Sequence, residues 1–189
     1  MTLQLLLDAS GAEAWVGLVD DGVIVARASS AVRASHGEAL MPLLVQVLGA
    51  HAPGELAQLV VGVGPGSFTG IRVALATALG LRRACALPVV TVSTFESLVA
   101  AHPEPRAALV VTVPALPGEV YAERWNHGAP EGDAWLCLEA ELPANYTRVV
   151  GVTSLEAMLD ASRGKSPIGE LLPRYVAPPK ITLPKLRAL

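Results

Sequence analysis

Residues Val61 to Leu81, VGVGPGSFTGIRVALATALGL, limit what this chain can fold into more than any other stretch. The apolar run from Leu59 to Val63 predicts a buried strand, and Gly64, Pro65 and Gly66 then break regular structure and let the backbone turn. Ser67 is placed to cap the helix that follows, because its hydroxyl oxygen can accept from an unpaired N–H two or three residues on. Arg72 is the one charge before Arg82 and Arg83, and Gly70, Ala74, Ala76, Thr77, Ala78 and Gly80 are spread among Ile71, Val73, Leu75, Leu79 and Leu81. A helix apolar all round is normally buried on more than one side. A sheet beneath would cover half of it, and a second covering is expected for the other half.

A glycine loop between strand and helix raises nucleotide binding, and the spacing argues against it. The dinucleotide fingerprint needs GxGxxG and an acid about twenty positions on. Here the glycines fall at 62, 64 and 66, and the next strand, Pro88 to Val92, carries no acid. A Walker loop needs a lysine where Ile71 and Arg72 follow Gly70. Ser67 follows Gly66 directly, so the GxSxG elbow is absent. A helix N-terminus attracts anions, but the preferred reading of Gly64, Pro65, Gly66 and Ser67 is a structural turn that brings helix and sheet together.

With 189 residues, 52% hydrophobic and 16% charged, the chain has apolar material for one core or two small lobes. Aromatic residues are only 4%, so the core is built from Leu, Val and Ala, and exposed apolar surface is expected. A net charge of −3 gives no general drive toward nucleic acid or anionic membrane, leaving RNA contact to a local patch or a partner. Cys85 and Cys137 form no CxxC and suggest a reducing, cytoplasmic setting. The start MTLQLLLDAS lacks a basic n-region, and no apolar run reaches membrane-span length, so neither export nor membrane insertion is expected.

In chain order, Leu3–Leu7, Ala14–Val19 and Val23–Ala28 read as a three-stranded meander, with Asp20-Asp21-Gly22 as the hairpin turn. Ser35 and Glu38 form a capping box for a helix from about His36 to Leu48, in which Pro42 is expected to give a kink or a restart. After the glycine loop and its helix come a strand at Val89–Val92 and a second box, Ser93 with Glu96, opening a short helix to about Ala101. His102-Pro103-Glu104-Pro105 reads as a linker, dividing a lobe of residues 1–102 from a second lobe of 103–189. Strand-like runs at Ala107–Val113, Glu119–Trp125 and Trp135–Leu138 repeat the meander. Arg148–Val152 suggests a further strand and Thr153 a cap for a helix through Leu159. Beyond Arg163, Pro167, Pro173, Pro178, Pro179 and Pro184 predict an extended tail, in which Arg163, Lys165, Arg174, Lys180, Lys185 and Arg187 outnumber Glu170. A solvated tail is favoured over an RNA contact.

Together, LLLDASGAEAWVGLV, His36 with Leu40 and Pro42, VGVGPGSFTGIRVALATALGL, LPVVTVSTFESL and GEVY at Gly118–Tyr121 resemble the TsaB (YeaZ) family of bacterial tRNA threonylcarbamoyladenosine biosynthesis proteins. The likeness covers residues 1 to about 125, and GPGSFTGIR followed by STFESL is its most specific part. It implies an actin-like ATPase fold of two ribonuclease-H-like lobes; the second lobe is shorter here than the family's, with little between Asp160 and the proline-rich tail. It also implies a non-catalytic protein that binds and supports a TsaD-like transferase acting on adenosine 37 of tRNA, with a TsaE-like ATPase joining through the complex and tRNA met only indirectly. Without that partner, the apolar patch of the chain's helices is expected to close a two-fold homodimer, since a C2 contact needs only one self-complementary surface. The implied contact uses the helices at His36–Leu48 and Ser67–Leu81, giving His36, Leu40, Leu43, Leu44, Val47, Gly70, Ile71, Ala74, Thr77, Ala78 and Leu81 as candidate partner residues. These are the two helices already found too apolar for a monomer. The chain departs from the family pattern where Pro114 and Leu116 stand ahead of GEVY in place of an Asp and an Arg.

Asp8 follows the first strand, where actin-like ATPases place a residue that helps hold a metal-bound phosphate. No lysine or second acid completes such a site, and a strand-end Asp before a turn is more often a local backbone acceptor. His36, His51, His102 and His127 make no ligand pair, so no metal and no cofactor is assigned. His36 reads as a local polar contact at the helix start. The alternative is a small nucleotide-dependent enzyme or a glycoprotease-like peptidase of the same superfamily, yet neither HExxH nor GxSxG occurs. No catalytic residue is assigned.

Overall fold

A computed structural model describes residues 2–31, 36–102, 108–144, 147–150 and 153–178. Ser35 of the first capping box, the linker prolines Pro103 and Pro105, and the tail from Pro179 onward lie outside the described residues, as do the side chains of His36 and Glu38.

Strands β1 (Leu3–Asp8), β2 (Glu13–Asp20) and β3 (Val23–Ala31) form the expected antiparallel meander. Its hairpin places Asp21 at φ 46° and Gly22 at φ 82°, the left-handed pair that a two-residue turn between twisted strands needs. Strand β4 (Gln58–Gly62) joins β1 in parallel and β5 (Val89–Val92) joins β4, giving the order β3-β2-β1-β4-β5. Side chains alternate across this sheet with the period of two that a pleated strand imposes. Leu5, Leu7, Val16, Leu18, Leu59 and Val61 enter one apolar cluster, while Leu6, Trp15, Val19 and Val60 enter another on the opposite face.

The first face is covered by α1 (His36–Leu48) and α2 (Phe68–Cys85). Helix α1 continues through Pro42 as a single element, so no second segment restarts there, and Pro42 lies on its exposed side. Helix α2 starts where predicted, with the Ser67 hydroxyl accepting from the Gly70 N–H, and runs four residues past Leu81 before Ala86 ends it in a left-handed conformation.

The opposite face is covered by α4 (Leu155–Ser162), which supplies Leu155, Met158 and Leu159. Gly17 makes room for it, since a Cβ there would lie 2.6 Å from Leu155 Cδ2. The cap of α4 is Ser154, one residue later than predicted, because its hydroxyl is the one that accepts from the Ala157 N–H. A division at residue 102 separates the two sheets. After the second sheet, however, the chain returns to the first, a long-range contact that sequence order does not reveal.

The second sheet contains β6 (Leu109–Pro114), β7 (Glu119–Asn126), β8 (Ala129–Leu138) and β9 (Thr147–Val150), in the order β8-β7-β6-β9. Among the described residues it repeats the meander and the parallel addition of the first lobe with one strand fewer, in keeping with the two-lobed fold that the resemblance implies. Strand β8 begins well before Trp135: His127 at φ 48° and Gly128 at φ 79° close a tight turn inside the stretch read as a loop. Pro130 and Gly132 are tolerated there because β8 is an edge strand. Between the sheets lies α3 (Thr94–Ala100), opened by the predicted Ser93–Glu96 capping box. Its Phe95 and Leu98 pack with Leu109, Val111, Val113, Trp125 and Val149 of the second sheet.

Candidate functional site: the cleft and the outer helix face

The cleft between the lobes starts at the end of β1. Asp8 is buried, and its carboxylate accepts from the Ser10 N–H at 2.7 Å, the Ser10 hydroxyl at 3.0 Å and the Thr153 hydroxyl at 3.5 Å. Gly62 makes room for it, since a Cβ there would meet the Asp8 side chain. Burial pushes the Asp8 carboxyl above its ordinary range, and the hydrogen bonds from Ser10 oppose that rise. Asp8 is thus the acceptor that shapes the β1–β2 turn.

The glycine loop is held by backbone bonds on both sides. Ser67 N–H donates to Ser10 C=O at 2.7 Å, Thr94 N–H to Gly64 C=O at 2.8 Å, and the Thr94 hydroxyl to Pro65 C=O at 2.7 Å. Gly64 has φ 89° and Gly66 φ 156°, and a Cβ on Gly66 would collide with the Ser10 carbonyl. Only glycine allows the loop to approach the β1–β2 turn this closely.

Beyond the loop opens a cleft of about 570 Å³, bounded by Ser10–Ala12, Pro65–Phe68 and Thr94 of the first lobe and by Val113–Leu116, Glu119, Tyr121 and Leu136 of the second. The resemblance to actin-like ATPases implies ATP and its metal at this position, and the described donor set does not fit them. Among the described residues no Lys or Arg lines the cleft, the one charged wall residue is the carboxylate Glu119, and both Asp8 oxygens are engaged by Ser10 and Thr153. Polyphosphate needs cationic or backbone N–H donors aimed at it, and the N–H of Ser67 is spent on Ser10. Among the described residues no three His, Cys, Asp or Glu side chains gather as a metal site.

Peptidase chemistry finds no pairing here either. The cleft hydroxyls of Ser10, Ser67, Thr94 and Thr153 each have a hydrogen-bond partner, and no histidine is among the described residues that line the cleft. His51 pairs with Glu55 at 3.0 Å, and His102 Nδ1 lies 2.8 Å from the Leu98 carbonyl.

The candidate partner residues fall mostly on the inner side of their helices. Leu40, Ile71, Ala74 and Ala78 are at most 1% exposed, Leu43, Leu44, Val47 and Gly70 are also buried, and Thr77 and Leu81 are half-buried. They pack on β1, β2 and β4, so the stripe Gly70-Ala74-Ala78 lets α2 approach its own sheet. Within this chain the eight buried side chains are covered by its own core, while Thr77 and Leu81 keep partial access to a partner. Residues spaced four apart define one helix face without saying which way it points, and α2 has apolar residues on both. The side that does face outward carries Met41 and Val45 of α1, 52% and 65% exposed, and Arg72, Ala76, Leu79 and Arg83 of α2, with Leu79 39% exposed. Phe68, at the start of α2, stacks near Tyr175 at 5.1 Å and lies under the Arg72 guanidinium at 5.2 Å.

Sequence reasoning also passed over Glu123 and the partner that holds it. Glu123 has no solvent exposure and pairs with Arg174, which the sequence assigned to a solvated tail. The available signal was a charge at an inward position of a strand, in YAERW.

Residues 28–128 match the family model described as TsaD, tRNA N6-adenosine threonylcarbamoyltransferase. The chain is 30% identical over 98 residues to the tRNA threonylcarbamoyladenosine biosynthesis protein TsaB of Bacillus subtilis, covering 51% of this chain and 43% of that protein. It is 29% identical over 121 residues to TsaB of Escherichia coli, covering 62% and 52%. The chain thus spans about half the length of the curated relatives it matches. Two solved structures share the fold. One is YeaZ from Pseudomonas aeruginosa, with TM-score 0.75, 20% identity and coverage of 93% of this chain and 100% of that one. The other is a Pseudomonas aeruginosa protein described as similar to peptidase YEAZ, with TM-score 0.76, 21% identity and coverage of 94% and 100%. Matched by that model over more than half of its length, the chain belongs to the TsaD family, and within it to the TsaB/YeaZ group.

Proposed function

We propose that this chain is a non-catalytic subunit that binds and supports a TsaD-type threonylcarbamoyl transferase in forming N6-threonylcarbamoyladenosine at position 37 of tRNA. The observation that carries the reading is the outward face of α1 and α2, where Met41, Val45 and Leu79 stay exposed beside Ala76 on two adjacent helices. Apolar side chains grouped on one face mark an interaction surface. Arg72 and Arg83 lie along the same stripe, so the complementary face is apolar with carboxylates at its rim. The non-catalytic part of the reading fits a cleft whose described lining carries no Lys, Arg or His.

On this reading the chain acts in the cytoplasm, alone as a two-fold homodimer through the same face. A TsaE-like ATPase and tRNA are reached only through the transferase. Among the described residues no helix is long and apolar enough to cross a membrane. The test is reconstitution with the host's TsaD-type transferase. Threonylcarbamoylation of tRNA is expected to need both proteins and to survive Asp8→Ala in this chain. Turnover of ATP or peptide by this chain alone, abolished by Asp8→Ala, would contradict the proposal.

A further inference from the structure

After α4 the chain forms no helix or strand among the described residues up to Pro178, yet it is pinned at intervals along its path. Lys165 Nζ donates to the Thr91 carbonyl at 3.0 Å and to Glu96 at 2.6 Å. Ile168 N–H donates to Val89 C=O at 2.8 Å, Arg82 to Gly169 C=O at 2.9 Å, and Leu171 packs against the first core. Arg174 N–H donates to Val63 C=O at 2.8 Å, and its carbonyl lies against Gly64 of the glycine loop. To this point the segment is tied to the first lobe and to α3.

Its side chains then cross to the second lobe. The Arg174 guanidinium lies 5.4 Å from the Phe95 ring centre, donates to the Ser93 hydroxyl at 3.0 Å and pairs with the buried Glu123 of β7. The other Glu123 oxygen accepts from Trp125 Nε1 at 2.8 Å. Val176 packs into the core of the second sheet, and Ala177 and Pro178 form part of the cleft wall.

We propose that residues 165–178 are a clasp between the two lobes, with Arg174–Glu123 as its catch: closed, it fixes the cleft wall, and released, it lets the cleft open while each sheet stays intact. A purely apolar contact would resist opening through the full hydrophobic cost of exposure. A buried ion pair behaves differently, because the desolvation of its charges offsets much of their attraction and water restores both when they part. The catch therefore holds geometry at a small net stabilisation, as a reversible element requires.

The groups facing Glu123 are Arg174 from the clasp, Trp125 N–H from its own strand and Glu96 from α3, itself paired with Lys165. Burial pushes the Glu123 carboxyl above its ordinary range; Arg174 and Trp125 oppose this and Glu96 adds to it. The closed clasp thus holds the Glu123 proton more tightly than an open, hydrated one, so raising the pH through that range favours opening.

Hydrogen exchange read by mass spectrometry on the full chain tests this, with rates corrected for intrinsic pH dependence. Arg174→Met is expected to speed exchange at pH 8 in residues 165–178, 64–67 and 114–119 together, by roughly tenfold to a hundredfold, as loss of a charge-assisted hydrogen bond implies. The β1–β2 and β7–β8 ladders are expected to keep their protection, and the effect to shrink toward pH 5. Adding Glu123→Gln is expected to reverse much of the opening at pH 8, since no bare buried carboxylate remains. Unchanged exchange in the clasp, or a rise shared equally by all strands, would overturn the proposal. Should Arg174→Met not fold, Glu123→Gln alone decides: it should remove the pH dependence that the parent's clasp shows, and equal dependence in both would overturn it.

Discussion

The cleft and the outer face of α1 and α2 are both surfaces built around the glycine loop and its helix, and they are finished in opposite ways. In the cleft the polar groups are consumed internally: Asp8 by Ser10 and Thr153, Thr94 by Pro65, Ser67 by Gly70. On the outer helix face apolar groups are left without a cover, with Val45 65% exposed. A surface whose polar groups are already paired has little chemistry to offer a substrate. A surface whose apolar groups are bare gains by burial. The proposed partner role rests on this difference.

The largest expected effect separates the two sides of α2. Ala74 is fully buried against the sheet, so Ala74→Arg places an unpaired charge in the core and should cost about 4 kcal/mol or more, seen as loss of the cooperative melt by circular dichroism. A folded Ala74→Arg variant would mean that the two faces of α2 are wrongly assigned. Next comes the loop. Gly66→Ala drives a Cβ into the Ser10 carbonyl at a left-handed φ and should cost about 1–3 kcal/mol in urea unfolding, with partner affinity falling only in proportion. Partner binding lost at unchanged stability would make the loop a contact surface and blur the comparison.

Smaller effects sharpen it. Ser93→Ala removes the cap of α3 and should cost about 1 kcal/mol, somewhat more because Arg174 also donates to that hydroxyl. For Asp8 the folded carboxyl is raised by burial, so it binds its proton more tightly than in the unfolded chain. Its contribution to stability is then lost as the pH rises through the interval above the ordinary aspartate range. Asp8→Asn lacks that titration, so its stability relative to the parent should improve from pH 4 to pH 7 in parallel urea titrations. A fixed difference would show that Asp8 titrates normally.

Local chemistry was legible in the sequence, and direction was not. The Asp21-Gly22 turn, the Ser67 cap and the Ser93–Glu96 box depend on neighbours within four residues and appear where the rules place them. The apolar runs of β1, β2 and β3, set apart by turn residues, marked the meander, whereas the sorting of their side chains into two cores came from the pleat. The inner side of α2 was not legible, because Ile71, Ala74 and Ala78 inside and Ala76 and Leu79 outside are equally apolar, leaving no polar stripe to mark solvent. Helix α4 on the first sheet and Arg174 on Glu123 depend on pairings across the chain, the latter 51 residues apart. Sequence spacing carries no signal for either.

The most direct measurement is the affinity of Val45→Arg for the host's TsaD-type transferase by calorimetry, beside its own unfolding curve. Val45 is exposed, so stability should stay within about 0.5 kcal/mol of the parent. Affinity should fall at least about tenfold, since a core position of an interface would then carry an uncompensated charge. An unchanged dissociation constant in a folded variant would contradict the role of the outer helix face, and no binding by the parent would contradict the partner function itself.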